Sequence, residues 1–162
     1  MSRLLAALAA TSVLAGCSTI DSMNPFASSG PKMAELVPLQ PTAEIVTAWK
    51  ESLGKSDNYV FTPAIVGDAV YAAGGKGNVL RLDGGATRWK VNVGMPLSGG
   101  VGSDGRRVVV GSPKGDIIAL DASDGKEIWR ARVTSEVIAA PAVDPRIVVV
   151  RSGDNRLFAF DV

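Results

Sequence analysis

Few side chains in this 162-residue sequence could do chemistry, and their spacing says more than their number. There is one thiol, Cys17, directly after Leu14-Ala15-Gly16, and there is no His at all. Without imidazole there is no Ser-His-Asp triad, no Cys-His pair and none of the usual nitrogen ligands for a metal. One Cys permits no intrachain disulfide and no Cys-x-x-Cys site. Three carboxylates, Asp83, Asp121 and Asp161, recur at the ends of three similar apolar segments and are the candidates for acid–base work. A catalytic carboxylate needs one copy, however, and these three stand just ahead of turn residues. The reading for each is therefore a side chain that accepts backbone N–H groups in a turn. Gly74-Gly75-Lys76-Gly77, Gly99-Gly100-Val101-Gly102 and Gly111-Ser112-Pro113-Lys114-Gly115 lack Walker or Rossmann spacing and open no helix, so they read as turns. Asp116 and Asp154 do not fall in the alternating oxygen pattern of a Ca²⁺ loop. With 17 Lys plus Arg against 16 Asp plus Glu, the chain has no basic footprint for nucleic acid. Arg106-Arg107 and the Arg81, Arg88 and Lys90 group read as solvated faces.

The elements that must position these residues repeat. Trp49, Trp89 and Trp129 each stand 40 residues from the next. In phase with them run Lys76-Gly77-Asn78-Val79-Leu80-Arg81-Leu82-Asp83, Lys114-Gly115-Asp116-Ile117-Ile118-Ala119-Leu120-Asp121 and Asp154-Asn155-Arg156-Leu157-Phe158-Ala159-Phe160-Asp161. Each unit divides into four short apolar runs separated by Gly, Asp, Ser and Pro. In the second unit the runs lie at 97–102, 107–111, 116–121 and 127–133. Four strands in about 40 residues is the arithmetic of a β-propeller blade, so the expected fold is all-β. A Trp beside each turn would fill the gap between twisted neighbouring sheets. The expected layout is a strand at 43–53, blades at about 58–93 and 97–133, and a partial blade at 137–162.

Ahead of the repeat, residues 1–16 read as a signal peptide: Arg3, then an apolar run from Leu4 to Leu14 too short to span a bilayer. Leu14-Ala15-Gly16-Cys17 resembles the lipobox of bacterial lipoproteins, in which the Cys is acylated; an ordinary secretory peptide with an incidental Cys is the alternative. Ser18, rather than Asp, implies sorting to the outer membrane in that class. Residues 17–42, with Pro25, Pro31, Pro38 and Pro41, read as an extended tether. Leu36, Val37 and Leu39 either dock on the folded part or stay exposed.

The run Ala119-Leu120-Asp121-Ala122-Ser123-Asp124-Gly125-Lys126-Glu127-Ile128-Trp129 resembles the tryptophan-docking motif of pyrroloquinoline-quinone-type propellers, with Asp124 where Thr is common. Asp83 to Trp89 is a copy two residues tighter. One branch of that superfamily is the quinoprotein dehydrogenases, which use adjacent cysteines, a Ca²⁺ site and a catalytic Asp; no such cysteine pair is present. The other is the BamB family of cofactor-free outer-membrane assembly lipoproteins. The lipobox, the tether and Thr42-Ala43-Glu44-Ile45-Val46-Thr47-Ala48-Trp49 resemble that family. So do Val60-Phe61-Thr62-Pro63-Ala64, Leu97-Ser98-Gly99-Gly100-Val101-Gly102 and Ser135-Glu136-Val137-Ile138-Ala139-Ala140-Pro141.

The resemblance implies an eight-bladed ring about twice this length, of which this sequence is an N-terminal part. The chain stops inside the third copy, and the expectation is a truncated or split reading frame or an incomplete sequence. It also implies a non-catalytic scaffold with no cofactor, anchored to outer-membrane lipid through Cys17 and facing the periplasm. The partners implied are BamA, other subunits of the β-barrel assembly complex and unfolded outer-membrane β-barrel proteins. A dehydrogenase-like protein, or a propeller with another envelope partner, is the alternative.

Overall fold

A computed structural model describes residues 35–162; Cys17, Ser18 and the signal lie outside the described residues. The chain divides into a unit ending at Glu44 and a unit spanning Ile45–Val162. Of the first, residues 35–44 carry no strand or helix, and Leu36, Val37 and Leu39 are exposed. The second unit is all-β. Among the described residues no helix is long and apolar enough to cross a membrane.

The second unit is built from antiparallel sheets in which sequence neighbours pair. Strands β1 (Ala64–Val66), β2 (Ala69–Ala73), β3 (Asn78–Asp83) and β4 (Ala86–Asn92) form one four-stranded sheet. Strands β5 (Gly102–Ser103), β6 (Arg107–Gly111), β7 (Asp116–Asp121) and β8 (Glu127–Arg132) form the next. Strands β9 (Ala142–Val143), β10 (Ile147–Arg151) and β11 (Leu157–Asp161) form a three-stranded sheet. The first strands of successive sheets are neighbours, β1 beside β5 and β5 beside β9. Sheets arranged with their first strands innermost are the blades of a β-propeller.

Side-chain alternation explains the stacking. Strands β6 and β7 are buried on both faces, and their period of two sends consecutive residues to different neighbours. Val108, Val110, Ile118 and Leu120 pack with Tyr71, Val79 and Leu97 of the first blade and its linker. Val109, Ile117 and Ala119 pack with Val148, Val150, Phe158 and Phe160 of the third. The fourth strands, β4 and β8, are outermost and alternate between exposed and half-buried positions. In both, the register with the third strand slips just past the Trp pair, between Arg81 and Leu82 and between Ala119 and Leu120. Such a bulge increases local twist, and here it falls where Trp89 and Trp129 must turn toward the next blade.

Two sequence expectations are corrected. Residues 43–53 form no strand. The end of this segment lies along the first blade instead, held by Asn78 Nδ2 donating to the Leu53 carbonyl at 3.2 Å and Lys90 Nζ donating to the Ser52 carbonyl at 2.9 Å. No neighbouring strand among the described residues offers that segment a ladder. The first strand of the second blade is Gly102–Ser103, not 97–102. Leu97 and Val101 are core residues there, and the backbone between them bonds sideways, Ser98 N to Gly111 O at 3.1 Å and Val101 N to Thr62 O at 2.9 Å.

The run Gly99-Gly100-Val101-Gly102 is likewise not a turn. A Cβ at Gly99 would stand 2.5 Å from the Ile138 carbonyl oxygen, and one at Gly100 would stand 2.9 Å from that of Thr62. One at Gly102 would collide with the Pro141 carbonyl. These glycines allow three backbone segments to converge near the inner strands.

Candidate interaction surface

The Trp and Asp series meet across blade boundaries. Trp89 leaves β4 and lies on Gly125 of the second blade, its ring 2.8 Å from where a Cβ at 125 would stand. Its Nε1 donates to the Ala122 carbonyl at 3.0 Å, one residue beyond Asp121. Trp49 lies on Gly85 of the first blade in the same way, at 2.6 Å from the corresponding Cβ position. Gly85 and Gly125 each precede their own blade's Trp by four residues. Trp129 packs on Phe160 of the third blade, ring centroids 5.9 Å apart, and its Nε1 is buried with no hydrogen-bond partner among the described residues. Trp49 remains half-exposed.

The carboxylates divide into three cases. Asp121 accepts the Ser123 N–H at 2.7 Å and the Ser123 hydroxyl at 2.5 Å, and these donors hold its carboxyl below the usual range. Asp83 does not bond the backbone of its turn, contrary to the sequence reading. Its turn is two residues shorter, and its oxygens accept Arg81 Nε at 2.8 Å and Arg88 Nε at 2.9 Å. The Arg81 hydrogen bond is the main cause of its lowered pKa. Asp161 is exposed, at the end of β11.

Arg81 is the residue that sequence reasoning missed. Its neighbours Arg88 and Lys90 suggest a solvated cation, yet its side chain crosses to the second blade, where Nη1 donates to Ala122 O at 3.0 Å. That carbonyl thus receives both Trp89 and Arg81. The guanidinium also stands 5.8 Å from the Tyr71 ring centroid. Burial pushes the Tyr71 phenol up, against the pull of the Arg81 cation. The other copies carry Ala119 and Ala159 at this place, so no repetition marks the position.

Asp83, Asp121, Asp124, Glu127 and Asp154 are all shifted down, each by hydrogen bonds from a neighbouring side chain. Among the described residues no group of three or more His, Cys, Asp or Glu is placed to hold a metal ion. What the blades do present is surface. The outer strands carry exposed Arg88, Lys90, Ile128, Arg130 and Arg132. Open grooves lie beside the incoming linkers, one lined by Met95, Pro96, Pro113 and Lys114 and another by Glu136, Ile138, Ala139 and Arg151.

A family model for the outer membrane protein assembly factor BamB matches residues 75–162, more than half of the chain. The chain belongs to the BamB family. The outer membrane protein assembly factor BamB of Burkholderia pseudomallei (strain K96243) is 40% identical over 141 residues, covering 83% of this chain and 37% of that protein. The chain therefore spans well under half the length of this curated relative. The crystal structure of BamB from Moraxella catarrhalis is similar with a TM-score of 0.59 at 30% identity, covering 62% of this chain and 31% of that one. A quinohemoprotein alcohol dehydrogenase from Pseudomonas putida HK5 is similar with a TM-score of 0.61 at 24% identity, over 70% of this chain and 20% of that one, a likeness of fold alone. Both solved structures share the fold inferred from the 40-residue period.

Proposed function

We propose that this chain belongs to a non-catalytic scaffold of the outer-membrane β-barrel assembly machinery. On this reading its blades bind BamA and other subunits of the complex and assist the insertion of unfolded β-barrel proteins. It acts from the periplasmic side of the outer membrane, anchored by acyl chains on Cys17 and sorted there by Ser18. The BamB match over residues 75–162 is the observation that carries the reading, because the relatives it leads to are named outer membrane protein assembly factors. The site chemistry agrees with it. Depressed, hydrogen-bonded carboxylates stabilise turns and blade contacts, and a scaffold works through a rigid surface on which no bond is made or broken.

The test is affinity purification of the native protein from envelopes. BamA should co-purify, and the purified material should show no quinone absorbance. Loss of BamA under conditions that keep the rest of the complex together, or a bound quinone, would overturn the reading. Metabolic labelling with palmitate tests the anchor: label should enter the wild type and be absent from Cys17→Ala.

A further inference from the structure

One end of the blades has a composition that the scaffold reading does not explain. At this end lie the turns between the second and third strands of each blade, together with the linkers that enter the blades. The backbone ties them together: Gly75 N to Lys55 O at 3.1 Å, Leu97 N to Gly75 O at 3.2 Å, Val137 N to Ser112 O at 3.0 Å and Gly153 N to Glu136 O at 2.8 Å. Lys55, Lys76, Lys114 and Arg151 stand on these segments, all exposed, and none has an ion-pair partner among the described residues. Arg151 donates to the neutral Asn155 Oδ1 at 2.7 Å and forms no ion pair.

Two of the four acids named at this end are engaged. Asp116 faces Arg132 at 3.8 Å, and Asp154 accepts Thr134 Oγ1 at 2.6 Å and Arg156 Nη1 at 3.1 Å. Asp57 and Glu136 are left without an ion pair, against four such cations. At the opposite end the turns carry Asp68, Asp104, Asp124 and Asp144, of which the last three pair with Arg107, Lys126 and Arg146 and leave Arg106 as the cation without an ion pair among those named.

Cation and apolar surface adjoin at this end. Met95, Pro96 and Pro113 border a groove of about 240 Å³ lined also by Lys114 and by Asp116, the acid that faces Arg132. In the next blade, Ile138 and Ala139 border a groove of about 340 Å³ whose lining also holds Arg151 and Glu136. Pro96 and Glu136, linker residues that line these two grooves, are one repeat apart, as are Ser112 and Ser152 in the turns. A flat anionic surface would use the charges and leave the apolar walls idle. An extended polypeptide that alternates acidic and apolar side chains uses both, since its side chains point alternately to two sides.

We infer that this cationic end, from Lys55 and Lys76 through Lys114 to Arg151, is a docking surface for an extended acidic segment of a partner protein. The inference rests on the scaffold reading and assigns that scaffold a face and a partner chemistry.

The test uses the full chain and a short fluorescent peptide of alternating Asp and Leu, with an Asn and Leu peptide as control and phosphatidylglycerol vesicles as the second anionic probe. The Asp peptide should bind, more weakly as salt rises, and the Asn peptide should not. Reversal of all four cations (K55E, K76E, K114E and R151E) should weaken binding by about tenfold or more with the far-ultraviolet spectrum unchanged. Should that variant misfold, Lys114→Gln with Arg151→Gln should weaken it in the same direction. Equal binding of the two peptides, unchanged affinity after reversal, or binding to vesicles with none to the peptide would each overturn the inference. Absence of BamA from a wild-type purification would instead sink the scaffold reading and is scored separately.

Discussion

Trp89 and Gly125 meet face to face across the boundary between the first two blades. The indole lies against the glycine backbone, and Gly125 adopts φ +76°, a region that side chains with a Cβ enter at a cost. Two requirements therefore fall on one residue. Gly125→Ala should destabilise the chain by about 2–4 kcal/mol, combining left-handed strain with overpacking against the ring. Gly84→Ala is the control: its φ is +57° and a Cβ there meets nothing within 4 Å, so only about 1–2 kcal/mol is expected. Urea midpoints of the two variants check the difference. Equal losses would mean that the indole yields freely.

Arg81 and Trp89 should prove energetically coupled, because both donate to the Ala122 carbonyl. Either Arg81→Met or Trp89→Phe leaves that buried acceptor one donor. Removing both leaves none, and an unsatisfied buried carbonyl costs more than a lost bond. A double-mutant cycle should therefore show the double variant about 1 kcal/mol less stable than the sum of the singles. Simple additivity would show that one donor alone satisfies nothing that water cannot.

The repeat made most of this architecture legible. A Trp every 40 residues located the blade boundaries, and Asp83 and Asp121 at the ends of two third strands located turns. Repetition was also the limit. Arg81 exists in one copy, so nothing in the pattern separated it from solvated cations. Asp83 shares the position of Asp121, but its shorter turn removes the N–H donors and brings Arg81 and Arg88 to it instead. Gly99, Gly100 and Gly102 have the composition of a turn, whereas their reason is contact with Ile138, Thr62 and Pro141, which no local window contains. Residues 43–53 carry Trp49 of the 40-residue series, but a strand needs a ladder partner, and Leu53 and Ser52 are bonded by the Asn78 and Lys90 side chains instead.

Acid should loosen these turns over a definite window. Asp121 and Asp154 have lowered pKa values because hydroxyl and N–H donors favour their ionised forms. A group depressed in the folded state contributes stability that is fully present above its unfolded value of about 3.9 and is lost as pH falls through the folded value. Stability should thus be flat through neutral pH, since no His titrates there, and should decline below about pH 4. Asp121→Asn should flatten part of that decline. A variant whose acid midpoint matches the wild type would show that Asp121 does not contribute to it.

Ser98 offers the narrowest test of how the second blade holds the third. Its side chain is fully buried, and its hydroxyl donates to the Val137 carbonyl at 2.7 Å while its own N–H bonds Gly111 O. Val137 is itself buried and its N–H is committed to Ser112 O, so the segment entering the third blade is pinned at both backbone groups. Ser98→Ala keeps the volume close and removes one donor. It should cost about 1–3 kcal/mol, the desolvation cost of a buried acceptor left alone. Because the backbone bonds of Ser98 survive, the loss should appear as faster hydrogen exchange at Val137 and in β9 and β10, with β2 and β3 protected as before. Uniform acceleration across all three blades would show instead that the blades open as one unit and that the Ser98 bond has no local role.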